Sequence, residues 1–127
     1  MSVPAESIDT RGPRVLIVDD DVDLMEALAE WLEARCGARV TACASAEEAM
    51  VETSPGSFDV FLLDYRLTGA DGVTLGAMLR EINPDARLIL LSGELSANVE
   101  TLAMEHGFGR IFTKPVAADS LIDAIGN

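Results

Sequence analysis

Val60-Phe61-Leu62-Leu63-Asp64 decides the fold. Four consecutive apolar residues without alternation end on a carboxylate. So short and wholly apolar a run reads as a strand buried on both faces, as in a parallel sheet. The pattern recurs. Val15-Leu16-Ile17-Val18 runs into Asp19-Asp20, Leu88-Ile89-Leu90-Leu91 into Ser92, and Ile111-Phe112-Thr113 into Lys114-Pro115. Open α/β sheets bind ligands outside the carboxyl ends of their strands. Three carboxylates, a hydroxyl and an ammonium are therefore expected to share one pocket. That set suits a divalent cation and a phosphoryl group.

Between these runs lie helical patterns. Strands are expected at about 14–19, 38–43, 58–64, 86–92 and 110–114. The first helix follows the acids, with Leu24, Leu28, Trp31 and Leu32 as its apolar face and Gly37 as its end. Asp21 near its start suits the positive end of the helix dipole. Ser45-Ala46-Glu47-Glu48 is a capping-box pattern for the second helix. Leu75, Met78, Leu79 and Ile82 give the third helix a core face, and Asn83-Pro84 stops it. The fourth runs from about 96 to 106, with Ser96 as cap and Gly107 as terminator; a short fifth covers about 117–125. Alternating strands and helices make an α/β domain with a parallel sheet. Residues 1–12 read as a flexible leader and 13–127 as one folded domain.

Composition narrows the function. Among 127 residues, 22 acids face 9 bases, for a net charge of −13. Such a surface repels phosphate backbones, so direct nucleic-acid binding is not expected. No stretch reaches the length of a membrane span, and no secretory pattern opens the chain, so a cytoplasmic location is expected. Cys36 and Cys43 lack metal-ligand spacing and read as reduced thiols. His106, the single histidine, falls near the end of the fourth helix, where a cation suits the dipole. Trp31 reads as core packing.

The strand-end residues carry the chemistry. Asp19, Asp20 and Asp64 repel one another unless a cation or proton intervenes. Mg²⁺ is the natural cation, being hard and binding through one or two carboxylates plus waters and phosphate. Lys114 adds a fixed positive charge and Ser92 a hydroxyl; Gly93 lets a ligand approach its amide. A carboxylate can attack phosphorus to form an aspartyl phosphate. Asp64, alone at the end of the most continuous apolar strand, is the candidate nucleophile, while the Asp19-Asp20 pair suits the metal.

The chain resembles the receiver (phosphoacceptor) domain of two-component response regulators over about residues 14–126. The resemblance rests on V-L-I-V-D-D, on D-V-F-L-L-D-Y-R-L with a later D-G, on L-L-S-G and on T-K-P, in order and at the family's spacings. It implies a doubly wound, flavodoxin-like five-stranded parallel sheet in the order 2-1-3-4-5 with helices on both faces. It implies that Asp64 is the phosphoacceptor. Asp20, Asp64 and the Arg66 backbone carbonyl would bind Mg²⁺ directly, with Asp19 acting through water, and Ser92 and Lys114 would hold phosphoryl oxygens. The implied donor is a histidine kinase or histidine phosphotransfer protein. The implied output is a protein contact through the face of helix four, strand five and helix five. Such a switch phosphorylates and dephosphorylates itself rather than turning over a substrate, as a monomer or weak homodimer.

Departures from the family pattern bear on signalling. Where many receivers carry Tyr or Phe three residues before the lysine, this chain has Ile111, and strand alternation points Phe112 to the opposite face. Arg66 and Glu94 lie two residues past Asp64 and Ser92. They are expected to pair across the pocket mouth and slow the approach of water. Other readings are weaker. Asp64-Tyr65-Arg66-Leu67-Thr68 is only superficially like the D-x-D-x-T motif of haloacid-dehalogenase-like phosphatases, because Arg66 cannot serve as their general acid. A pseudo-receiver that never takes phosphate conflicts with the intact set of five residues, and a nucleotide site lacks a glycine-rich loop after the first strand. Met1 and the short leader point to a stand-alone receiver. A module cut from a larger regulator or hybrid histidine kinase is the alternative.

Overall fold

The structure, a computed structural model, describes residues 12–94 and 96–126. Five strands, β1 (Arg14–Val18), β2 (Arg39–Cys43), β3 (Val60–Asp64), β4 (Arg87–Ser92) and β5 (Phe108–Thr113), alternate with five helices. These are α1 (Val22–Cys36), α2 (Ala46–Glu52), α3 (Gly72–Ile82), α4 (Ala97–Glu105) and α5 (Ala118–Gly126). All strand pairs are parallel, in the order β2-β1-β3-β4-β5. The expected doubly wound sheet is what the chain forms.

Strand periodicity divides the core. Leu16, Val18, Phe61, Leu63, Leu88 and Leu90 pack on one face with α2, α3 and α4. Val15, Ile17, Val60, Leu62, Ile89 and Leu91 pack on the other with α1 and α5. Each fully buried Leu or Ile contributes roughly 1.5–3 kcal/mol of transfer free energy, so both sheet faces anchor their helices. Reversal of the winding direction between β1 and β3 leaves a crevice at the carboxyl edge, where the strand-end polar residues emerge.

Local signals set the helix limits. Asp21, Ser45, Asp71 and Ser96 each accept the N–H three residues on, capping α1, α2, α3 and α4. The reciprocal bond from Glu48 reaches the Ala44 N–H at 3.1 Å, one residue before the cap. Gly37 ends α1 at φ 66°, a left-handed conformation that glycine adopts freely. Residues 1–11 of the expected leader lie outside the described residues. Gly12, also assigned to that leader, donates its N–H to the Gly37 carbonyl at 3.0 Å.

The differences from expectation have identifiable causes. β3 starts at Val60 rather than 58, because the Phe58 N–H is taken by the Asn83 side chain at 2.8 Å. β5 starts at Phe108 rather than 110. Phe108 pairs with Leu88 and Arg110 with Ile89, leaving Gly109 as the extra residue of a bulge. Met78, expected in the core face of α3, is 41% exposed. It borders a groove between α2 and α3, where the short second helix leaves it uncovered. In α1, Leu28 and Leu32 are buried as expected, Leu24 and Trp31 pack partly, and Met25 completes the stripe.

One glycine ties the fold to the crevice. The Gly72 N–H donates to the Tyr65 carbonyl at 2.7 Å, and Arg66 and Asp71 form an antiparallel bridge, so the loop after β3 folds back on itself. A Cβ on Gly72 would collide with the backbone carbonyl oxygen of Asp64. Gly72→Ala is therefore expected to destabilise the protein by about 1–3 kcal/mol, read as a lowered urea midpoint with an unchanged m-value.

Candidate functional site

Backbone pairing assembles the site before any side chain is considered. The Asp19 N–H donates to the Cys43 carbonyl at 3.1 Å, extending the β1–β2 ladder by one residue. Asp64 closes β3, and the next residue, Tyr65, donates to the Leu91 carbonyl at 2.8 Å. The Lys114 N–H donates to the Ser92 carbonyl at 2.8 Å, which sets the ends of β4 and β5 side by side. Asp19, Asp64 and Ser92 are buried; Asp20, one residue beyond β1, is exposed.

The side chains converge on Lys114. Its ammonium lies 2.9 Å from Asp19 Oδ2 and 3.3 Å from Asp64 Oδ1. Asp19 Oδ1 accepts the Asp21 N–H at 3.0 Å, so both oxygens of this buried carboxylate are occupied. Burial pushes the Asp64 carboxyl up from its ordinary range, and the Asp19 charge adds to this against the opposing pull of Lys114. Burial acts to lower the Lys114 ammonium, but the hydrogen bond and charge of Asp19, then those of Asp64, outweigh it and leave it raised. One cation thus holds two buried acids, with a third alongside.

That excess negative charge tests whether a metal ion fits. Asp19, Asp20 and Asp64 each offer a carboxylate oxygen, and the three lie within 4.8 Å of one another. Oxygen ligands of Mg²⁺ at 2.0–2.1 Å stand roughly 4.2 Å apart when opposite, so small side-chain movements suffice. An all-oxygen donor set is what a hard divalent cation requires. The pocket above, about 420 Å³, is lined by Asp20, Asp64, Arg66, Gly93, Glu94 and Lys114.

Ser92 sits at the expected strand end, but its hydroxyl is turned aside. It donates to the Glu94 carbonyl at 2.5 Å and accepts the Glu94 N–H at 3.3 Å. To reach an oxygen carried on Asp64 it must give up that acceptor. Arg66 and Glu94 do meet, Nη2 to Oε1 at 3.3 Å, with both side chains largely exposed. Ile111 packs toward α2, α3 and α4 and Phe112 toward α1 and α5, so the two face opposite ways as expected. Asp21 is the α1 cap and His106 closes α4, its Nδ1 3.0 Å from the Leu102 carbonyl. Cys36 and Cys43 are free thiols, and burial pushes Cys43 up to about 11. Gly72, packed against the Asp64 carbonyl, is the residue whose part the sequence reading missed; its signal was the Asp71-Gly72 dipeptide at the start of the third helical pattern.

The response regulator receiver domain family matches residues 15–126. The chain belongs to this family. It is 33% identical over 113 residues to the C4-dicarboxylate transport transcriptional regulatory protein DctD of Rhizobium meliloti (strain 1021), covering 89% of this chain and 24% of that protein. The receiver thus spans about a quarter of this curated relative's length. Among solved structures, a CheY-like response regulator receiver domain protein from Methanospirillum hungatei superposes with a TM-score of 0.82 at 27% identity, over 88% of this chain and 89% of that one. A response regulator protein from Burkholderia pseudomallei, solved with a phosphorylated aspartic acid, a calcium ion and citrate, superposes with a TM-score of 0.81 at 28% identity, over 88% of this chain and 65% of that one. No helix among the receiver's described residues is long and apolar enough to cross a membrane.

The electrostatics predict a linked stability pattern. A carboxyl raised on folding destabilises the folded state when it ionises, so that penalty is absent in acid and grows as pH rises through the carboxylate range. In chelator-treated buffer at pH 7, Asp64→Asn is expected to raise Tm, with the gain shrinking toward acid pH. Saturating MgCl₂ should raise the wild-type Tm by a few degrees and do little for Asp20→Asn or Asp64→Asn. Calorimetry across pH, with and without cation, checks both.

Proposed function

We propose that this receiver takes a phosphoryl group onto Asp64 in a Mg²⁺-dependent reaction. The reading rests chiefly on Lys114 reaching both Asp19 and Asp64 beside a three-carboxylate cluster of metal-binding dimensions. Asp20, Asp64 and the Arg66 carbonyl would hold the ion directly and Asp19 through water. When bound, Mg²⁺ supplies positive charge to offset the phosphoryl oxygens. The donor is a phosphohistidine of a histidine kinase or histidine phosphotransfer protein.

An Asp64 carboxylate oxygen forms the new P–O bond as the P–N bond to the donor breaks, and the imidazole leaves with its electron pair. Lys114, already at Asp64 Oδ1, stays close enough to pair with a phosphoryl oxygen. Ser92 exchanges the Glu94 carbonyl for another phosphoryl oxygen. That exchange releases the 92–94 turn and biases a two-state element, which is how a local charge becomes a changed surface. Receivers act through contacts with kinases and downstream effectors. The output here is assigned to α4, β5 and α5, and with Ile111 rather than an aromatic three residues before Lys114 the 92–94 turn carries most of the signal.

Intact mass after incubation with a small phosphodonor tests the reading. The expected result is a Mg²⁺-dependent gain of one phosphoryl group, absent in Asp64→Asn. No gain under any condition would identify a pseudo-receiver that keeps the acid pocket without the reaction. The Arg66–Glu94 pair generates a second prediction. Because exposed pairs contribute roughly 0–1 kcal/mol, the Arg66→Ala/Glu94→Ala double variant should lose its phosphoryl group a few-fold faster. An unchanged lifetime in both single variants and the double would remove the pair from the mechanism.

A further inference from the structure

Away from the carboxyl edge, a second pocket of about 270 Å³ opens where β4 and β5 begin. Arg80, Arg87 and Arg110 line it together with Gly107, Gly109 and Ala124, and its lining contains no acid. In a chain with 22 acids against 9 bases, three arginines lining one small concavity run against the general charge. Ion pairs among the described residues are made by Arg14, Arg35, Arg66 and Lys114 instead.

The three arginines are held in place by neutral partners. Arg80 donates from Nε to the Pro84 carbonyl at 3.3 Å and from Nη1 to the Gly107 carbonyl at 3.1 Å. Arg87 donates to the Ala124 and Ile125 carbonyls at 2.8 and 2.7 Å, at the end of α5. The Arg110 guanidinium carbon lies 5.1 Å from the centroid of the Phe112 ring. Each guanidinium has more N–H donors than these partners occupy.

The bulge at Gly109 brings Arg110 to this corner. By simple alternation Arg110 would share a face with Phe108, which packs toward α2, α3 and α4. The extra residue slips the phase of β5, so Arg110 falls on the Phe112 side, the face of Arg87 and α5. Bulges often re-aim a side chain in this way. A Cβ at Gly109 would meet nothing within 4 Å, so the backbone beside Arg110 is open to a ligand.

We propose that this pocket binds a small oxyanion carrying two or more negative charges, as phosphate or as paired carboxylates, independently of the phosphoacceptor site. Forked guanidinium donors match the oxygens of both groups. A bound anion would also give a charge partner to Arg87, which fixes the last turn of α5.

The test is a titration of ¹⁵N-labelled protein with inorganic phosphate, and separately with succinate, at constant ionic strength balanced with NaCl. Saturable amide shifts are expected at Gly107, Gly109 and Arg110, and they should persist in Asp64→Asn. Arg110→Gln and Arg80→Gln should each weaken binding roughly tenfold or more. Among the described residues Arg110 makes only a ring contact, so its replacement should leave the remaining spectrum in place. A response to phosphate alone would fix the ligand class as phosphate, and a response to succinate alone as dicarboxylate. Shifts confined to Gly93 and Lys114, a non-saturating response, or unchanged affinity in both arginine variants would overturn the proposal.

Discussion

The carboxyl edge depends on one constraint: Asp19 and Asp64 are buried a few ångströms apart, and a single ammonium holds them. Two carboxylates in so confined a space cannot both stay ionised without a nearby positive charge. Lys114 supplies it from just beyond β5, across β4 from Asp64, positioned by its backbone bond to Ser92. The pairing of β4 with β5 thus determines the electrostatics of β1 and β3. A charge balance left partly unmet makes the edge responsive to anything that adds positive charge, and burial keeps the Asp64 carboxyl above its ordinary range.

Opposed to this is the economy of the framework around it. Asp21 caps α1 directly after Asp20, Asp71 caps α3 at the end of the loop that follows β3, and Gly72 lets α3 sit against the Asp64 carbonyl. Local backbone hydrogen bonding therefore fixes where the carboxylates emerge. By contrast the 92–94 turn is held by short-range bonds of the Ser92 hydroxyl and one exposed ion pair. The acids thus stand on paired strand ends, beside a turn held by fewer and more local bonds.

Much of this was legible in the chain because a polar residue after an unbroken apolar run has one natural place in a parallel sheet. Asp19, Asp64, Ser92 and Lys114 all fell there, and the alternation of runs with capped helices set the architecture. The direction of the Ser92 hydroxyl was not legible, since it depends on a carbonyl two residues on whose position follows from the fold. Nor was the start of β5. Gly107 and Gly109 look like loop residues, and only the pairing of Phe108 with Leu88 shows that the strand has begun. Met78 kept helical periodicity yet stayed exposed, because burial depends on how far the neighbouring helix extends. The arginine corner was invisible for the same reason, its members being 7 to 30 residues apart and joined by α3, β4 and β5.

The bulge in β5 has a consequence for how these molecules behave in a crowded solution. β2 and β5 are the margins of the sheet, and an open margin presents unpaired backbone groups onto which another chain can add. At Gly109 the regular spacing of those groups is broken, and beside it stands Arg110, with its charge drawn across the ring of Phe112. A neighbouring strand would have to match an interrupted ladder and displace or bury a guanidinium. The irregularity that aims Arg110 thereby also discourages edge-to-edge polymerisation at that margin.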